Sequence, residues 1–172
     1  VAARQIRLYG DPVLREKAHP IAEIDDDVRA LAADMLETLA DAEGVGLAGP
    51  QVGEGRRIIV VHGPPPAEDE RRDPPRVFVN PEVVQREGPE ISGEEGCLSI
   101  PGIYEQVKRP RRVRVRALSL EGEEIEVEAE DMLARIFLHE IDHLDGVLFV
   151  DRIGPMRRAL LKKRLREMAE ES

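Results

Sequence analysis

Cysteine occurs once, at Cys97, and tryptophan not at all. One thiol excludes an intrachain disulfide framework, so the fold must be held by its core. No apolar run approaches the ~20 residues that a membrane span requires. Residues 1–10 (VAARQIRLYG) lack the apolar segment of a secretory signal. Positive charge is also short: the net charge is −10 and the pI about 5.0. That balance argues against binding free nucleic acid over the whole surface. These absences lead to the expectation of a cytoplasmic enzyme with no membrane partner. At 172 residues, a single domain spanning 1–172 with a sizeable core is expected.

The most informative stretch is Asp131 to Gly146, DMLARIFLHEIDHLDG. It reads as a helix, with Asp131 placed to cap its start and Gly146 suited to a left-handed end. Met132, Leu133, Ile136, Phe137, Leu138, Ile141 and Leu144 leave almost no polar face, the pattern of a buried helix. Into it the sequence inserts His139, Glu140, Asp142 and His143. Burying those groups unpartnered would cost several kcal/mol per ion. A metal ion is the simplest compensation. His139 and His143 are four apart, so their Cβ atoms share one face roughly 5–6 Å apart. In this HExxH arrangement two imidazoles bind a metal and the adjacent Glu serves as general base. Catalytic sites of this kind keep three protein ligands and one open position. Candidates for the third ligand are Cys97, His19, His62 and several carboxylates.

Along the rest of the chain, residues 6–19 read as an extended piece and a Gly-Asp-Pro turn. A packing helix is expected over about Asp26–Asp41, capped by Asp25 or Asp26, with Val28, Leu31, Met35, Leu36 and Leu39 at helical spacing. Gly44–Gln51 (GVGLAGPQ) holds three glycines in six residues, which means unusual backbone conformations or close approach by other groups. It is not a phosphate loop, because no Lys-Ser/Thr follows and Pro50 is expected to precede a strand. A flexible connection, or a loop laying its N–H groups and the Gln51 amide along a substrate, both fit. Arg57–Val61 and Arg76–Asn80 read as strands, with Glu82–Arg86 continuing as an edge strand. Gly63–Pro75 is a Pro- and charge-rich surface loop. Arg112 to Glu130 is a hairpin whose alternation gives one buried and one wet face. A three-residue loop with Gly122 left-handed sets Arg116 opposite Glu126 and Arg114 opposite Glu128.

Three segments in order, Gly44–Gln51 (GVGLAGPQ), Glu95–Ser99 (EGCLS) and His139–Gly146 (HEIDHLDG), resemble the signature motifs of the peptide deformylase family. Gly10–Leu14 (GDPVL) resembles that family's N-terminal segment, and the likeness extends from about Ile6 to Arg166. The resemblance implies Cys97, His139 and His143 as metal ligands. It implies Fe(II) as the metal, with zinc, nickel or cobalt able to take the same site. It makes Glu140 the proton shuttle and sets Gln51 and the Leu98 N–H against the formyl oxygen. Val45, Gly46 and Gly96 would pair with the peptide backbone, and Val45, Met132 and Ile136 would line a methionine pocket. The implied reaction is hydrolysis of the formyl group from N-formylmethionyl nascent peptides, releasing formate. Two residues depart from the usual pattern. Gly49 stands where Ala is usual, adding backbone freedom ahead of Gln51. Leu138 stands where Gln is usual, removing a polar group beside His139.

A zincin-type metallopeptidase is the competing reading, since it would use the same two His and Glu. Asp142 speaks against it, because the corresponding zincin positions are normally uncharged. Asp142 is instead expected to pair with Arg109. A metal-stabilised binding protein is disfavoured because structural zinc sites normally have four protein ligands. Met156–Arg166 (MRRALLKKRLR) reads as a helix after Pro155 with six basic residues and no acidic one, leaving −16 on the rest. It is either a surface helix docked by Leu160, Leu161 and Leu165, or a contact for the ribosome. The expected fold is α+β: antiparallel or mixed β-sheets packed around the central buried HExxH helix, with the C-terminal helix outside.

Overall fold

A computed structural model describes residues 1–64 and 71–171. The middle of the expected Gly63–Pro75 loop lies outside the described residues, as does Ser172. The elements run α1 (Asp26–Ala42), β1 (Gly46–Ala48), β2 (Ile58–Val61), β3 (Arg76–Cys97), β4 (Ile100–Leu118), β5 (Glu124–Glu130), α2 (Asp131–Leu144) and α3 (Pro155–Glu171). The strands form a five-stranded sheet in the order β1-β2-β3-β4-β5, antiparallel throughout. This is the expected α+β class. No described helix is long and apolar enough to cross a membrane.

Alternation along β2 builds the core. Ile59 and Val61 pack with Phe78, Phe137 and Ile141 on the α2 side. Ile58 and Val60 pack with Leu31, Met35 and Leu39 of α1 on the other. A strand covered on both faces needs a continuous apolar run, which explains Ile58–Val61. The α1 helix begins as expected, with the Val28 N–H donating to Asp25 Oδ1 at 3.0 Å. The β4–β5 register also matches: Arg116 lies opposite Glu126 and Arg114 opposite Glu128. Gly122 there has φ +81°.

Several expectations need correction. Asp131 does not cap α2. Glu130 holds the cap position without a side-chain bond. Because β5 runs directly into α2, Asp131 makes the reversal itself at φ 55°, a conformation Asp tolerates better than most residues. Pro50 precedes no strand; it lies in a 3₁₀ turn, Gly49–Val52. The strand expected to close at Asn80 continues to Cys97, with register shifts between Val79 and Glu82 that absorb Asn80 at φ 51°. Met132 is 49 % exposed because it faces the mouth of a cavity. Leu160 is 66 % exposed, so of the three expected leucines Leu161 and Leu165 dock α3, joined by Met168, against Ile100, Ile103, Val107 and Phe149.

The end of α2 is as expected. Gly146 has φ +75°. Its N–H donates to the His143 carbonyl at 3.2 Å, and the Val147 N–H donates to the Asp142 carbonyl at 2.9 Å. These two bonds form a Schellman motif. A Cβ on Gly146 would also lie 2.5 Å from the Arg15 carbonyl oxygen.

Candidate metal centre and active site

Two elements bring the candidate ligands together. Hairpin β3–β4 turns through Leu98 and Ser99, so Cys97, paired with Ile100, sits at its tip. Helix α2 presents His139 and His143 from one face, with ring centroids 5.1 Å apart. Ligand atoms of Cys97, His139 and His143 all lie within 4.8 Å of one another, and Cys97 Sγ is 3.4 Å from His143 Nε2. This is the only such group among the described residues, and neither His19 nor His62 belongs to it.

The donor set fits a borderline divalent cation: one sulfur and two imidazoles, leaving a position open. The electrostatics agree. Burial, followed by the neighbouring His139, holds His143 well below the usual imidazole range, so it is neutral as a ligand must be. Burial also works to lower His139, but its bonds to Cys97 and Glu95 and the Glu140 charge outweigh that and draw it upward.

Glu140 follows His139 on α2 and is buried. Burial, reinforced by the nearby Glu95 charge, raises its carboxyl to about 7 against the pull of His139 and Arg109. Its Oε1 is buried without a hydrogen-bond partner among the described residues. An unpaired buried carboxyl oxygen is costly, and such exceptions cluster where a group has work to do. Gly46 of β1 lies against it. None of Gly44, Gly46 and Gly49 has positive φ. The three glycines serve close approach, the second of the two possibilities for that segment.

Gln51 is held by both ends. Its Oε1 accepts the Ala48 N–H at 3.0 Å, which directs Nε2 toward Ser99 Oγ at 3.1 Å and Cys97 Sγ at 3.5 Å. Gly49 does not loosen this arrangement. A Cβ there would meet the Arg56 carbonyl oxygen at 2.6 Å and the Glu54 carbonyl oxygen at 3.0 Å, so glycine lets the two segments pack. Leu138 belongs to the core cluster that holds Phe78 and Phe137 and does not line the cavity.

A cavity of about 470 Å³ opens beside these groups. It is lined by all five expected substrate-contacting residues, Val45, Gly46, Gly96, Met132 and Ile136, together with Gln51, Cys97, Leu98, His139 and Glu140. The Tyr104 ring covers Gly96, where a Cβ would lie 2.5 Å from Cε1.

A buried ionic network supports the site. His139 Nδ1–H donates to Glu95 Oε1 at 2.9 Å, leaving Nε2 for a metal. Arg109 donates to both Glu95 oxygens at 2.9 Å and to Asp142 Oδ2 at 2.7 Å. Burial alone would raise Glu95, but the His139 and Arg109 bonds prevail and hold it at about 2. The Arg109–Asp142 pair is as expected. Glu95, Arg109 and Arg135 as one cluster escaped the sequence reading. The signal available was Glu95 two residues before the single Cys.

A fold with an inward HExxH helix, a thiol opposite and a lined cavity defines a metallohydrolase class. The family model described as polypeptide deformylase matches residues 3–159. A peptide deformylase of Alkalilimnicola ehrlichii is 48 % identical over 171 residues, covering 99 % of this chain and 93 % of that one. The crystal structure of peptide deformylase from Thermus thermophilus superposes with a TM-score of 0.86 at 44 % identity, covering 98 % and 99 % of the two chains. One from Legionella pneumophila gives 0.85 at 40 % identity, covering 96 % and 95 %. The chain belongs to the polypeptide deformylase family.

Proposed function

We propose that this protein is a peptide deformylase, hydrolysing the formyl group from N-formylmethionyl nascent peptides to give formate and a free N-terminal Met. The observation that carries the reading is the convergence of Cys97, His139 and His143 beside a buried Glu140 with one unpaired oxygen, all at the cavity wall or directly behind it. Cys97, His139 and His143 hold the metal in this reading, which would supply Lewis acidity and bring the pKa of a bound water toward ~7. Fe(II) is the proposed ion, and zinc, nickel or cobalt can satisfy the same donors.

The remaining chemistry falls to the chain. Glu140, buried beside His139, accepts the proton of the attacking water and returns it to the leaving amine. Gln51 Nε2 and the Leu98 N–H donate to the oxygen of the formyl group as its charge develops. Losing one such donor typically costs roughly 10²–10³ in rate. Val45, Gly46 and Gly96 line the backbone track of the peptide. Val45, Met132 and Ile136 are the proposed contacts of the methionine side chain, and the half-exposed state of Met132 supports a wall that a substrate completes.

Formation of nascent formylmethionyl chains takes place in the cytoplasm, so that is the proposed location, as one domain over 1–172. The C-terminal helix is the proposed ribosome contact. Arg157 and Arg158 are already paired with Glu105 and Asp151. Lys162, Lys163 and Arg166 are exposed and take part in no salt bridge among the described residues. Reversing those three to Glu should abolish co-sedimentation with ribosomes at low salt. Unchanged co-sedimentation would refute the contact.

The test of the reaction is formate release from a formyl-Met peptide by protein loaded anaerobically with Fe(II), beside Glu140→Gln. Turnover by the wild type and its loss in the variant are expected. Cleavage of unformylated internal peptide bonds instead would favour the zincin reading.

A further inference from the structure

The metal centre is split between a helix and the tip of a long hairpin, and something must hold the two in register. Among the described residues, β3 beyond Val79 pairs only with β4, so its other edge has no sheet partner there. Its register is also irregular between Glu95 and Cys97. Cys97 is therefore not fixed by the sheet alone.

Arg135 lies on α2 one turn before His139 and is only 7 % exposed. Its guanidinium reaches across to the hairpin at several points. Nη1 donates to Glu95 Oε2 at 2.8 Å and to the Val107 carbonyl at 2.7 Å, and makes a longer bond of 3.4 Å to the Gly93 carbonyl. Nη2 donates to the Ile91 carbonyl at 2.7 Å. One side chain of the ligand-bearing helix thus grips both strands of the ligand-bearing hairpin. The neighbour that makes room is Gly93: a Cβ there would sit 2.8 Å from Cζ, Nε and Nη2.

Charge balance alone does not account for Arg135. Arg109 already gives Glu95 two bonds of 2.9 Å. The Ile91 and Val107 carbonyls carry no net charge, so bonds to them set position. A planar donor fork suits this role, and a lysine could not reach the same acceptors together. We propose that Arg135, seated in the gap left by Gly93, is a positioning residue that holds the Cys97 thiolate in register with the His139 and His143 imidazoles. The inference rests on Cys97, His139 and His143 being the metal ligands.

Co(II) is the probe, because a cobalt–thiolate bond gives a near-ultraviolet charge-transfer band. Full-length wild type, Arg135→Met and Gly93→Ala are loaded anaerobically. The charge-transfer band and the rate of Co(II) loss to a chelator are measured, with melting temperature alongside. Gly93→Ala keeps the arginine and displaces only its guanidinium, so it tests position without deleting the side chain. Both variants are expected to weaken or shift the band and to lose Co(II) about 10–100-fold faster. Because both act through one group, the double variant should lose metal no faster than Arg135→Met alone. A fall in melting temperature with the wild-type band and release rate would overturn the positioning role. A wild type with no charge-transfer band would instead overturn the metal reading on which it rests.

Discussion

Glu140 is pressed against Gly46: a Cβ added to that glycine would lie 2.6 Å from Glu140 Oε2 and 2.9 Å from its Cγ. The glycine thus fixes where the carboxylate can sit. Gly46→Ala must push Glu140 aside, and the three atoms nearest to its new methyl all belong to Glu140 rather than to Cys97, His139 or His143. We expect kcat for deformylation to fall about 10²-fold, the scale of a 1 Å misplacement, with bound metal per chain unchanged. Steady-state kinetics with metal analysis checks this, and an unchanged kcat would show that Glu140 has slack.

The metal-free protein should show two opposed pH dependences from neighbouring carboxyls. Glu95 is lowered from 4.5 to about 2, so its contribution is complete above 4.5 and lost as pH falls toward 2. Glu140 is raised from 4.5 to about 7, so its contribution is complete below 4.5 and lost as pH rises through 7. Each shift corresponds to roughly 3 kcal/mol at most. Urea unfolding of apo protein between pH 4.5 and 8 should show wild-type stability declining relative to Glu140→Gln, which lacks the titration. Parallel curves for the two proteins would contradict the raised carboxyl.

Much of this molecule was legible because the decisive signals are local. The α2 helix and the β4–β5 register follow from spacing and alternation, and His139 and His143 from their HExxH spacing, whereas Cys97 is singled out from the other candidate ligands only by the resemblance of its EGCLS segment to the deformylase motif. Hairpin β3–β4 was not legible in its outer half. Residues 87–97 (EGPEISGEEGC) carry glycine, proline and acidic residues, since much of the strand is wet and neither face is strictly apolar. Gly93 and Gly96 are set by what crosses them, Arg135 and Tyr104, and Gly88 by its φ of +80°. The Glu95 cluster joins residues 14 and 40 positions apart, and no local pattern announces a buried arginine.

Gly49→Ala offers a direct reading of the close packing beside Gln51. The family's usual Ala suggests a harmless change, but the carbonyls of Arg56 and Glu54 would lie 2.6 and 3.0 Å from the new methyl. Backbone cannot rotate away as a side chain can. Overpacking of this kind costs about 1–3 kcal/mol. The urea midpoint should fall with the slope unchanged. A rise in the midpoint would mean that the 54–56 segment yields and that the entropy of the unfolded glycine dominates.

Asp142 separates a structural carboxylate from an idle one. It accepts from Arg109 at 2.7 Å and from Arg152 at 2.6 and 2.9 Å. Arg109 is 4 % exposed, so weakening this bond leaves buried guanidinium charge to Glu95 alone, whereas the Arg152 side chain is 46 % exposed and can turn to water. Asp142→Asn also replaces one acceptor oxygen by an amide that donates toward a donor. It should cost about 1–3 kcal/mol of stability, and about tenfold in metal affinity, because Arg109 orients Glu95 and Glu95 orients His139. Arg152→Ala should cost less than about 1 kcal/mol, as exposed ion pairs do. Thermal melts and competitive zinc titration of both variants decide the matter. If Asp142→Asn matched wild type in both, the chain from Asp142 through Arg109 to His139 would carry no load, and Glu95 would be oriented by Arg135 instead.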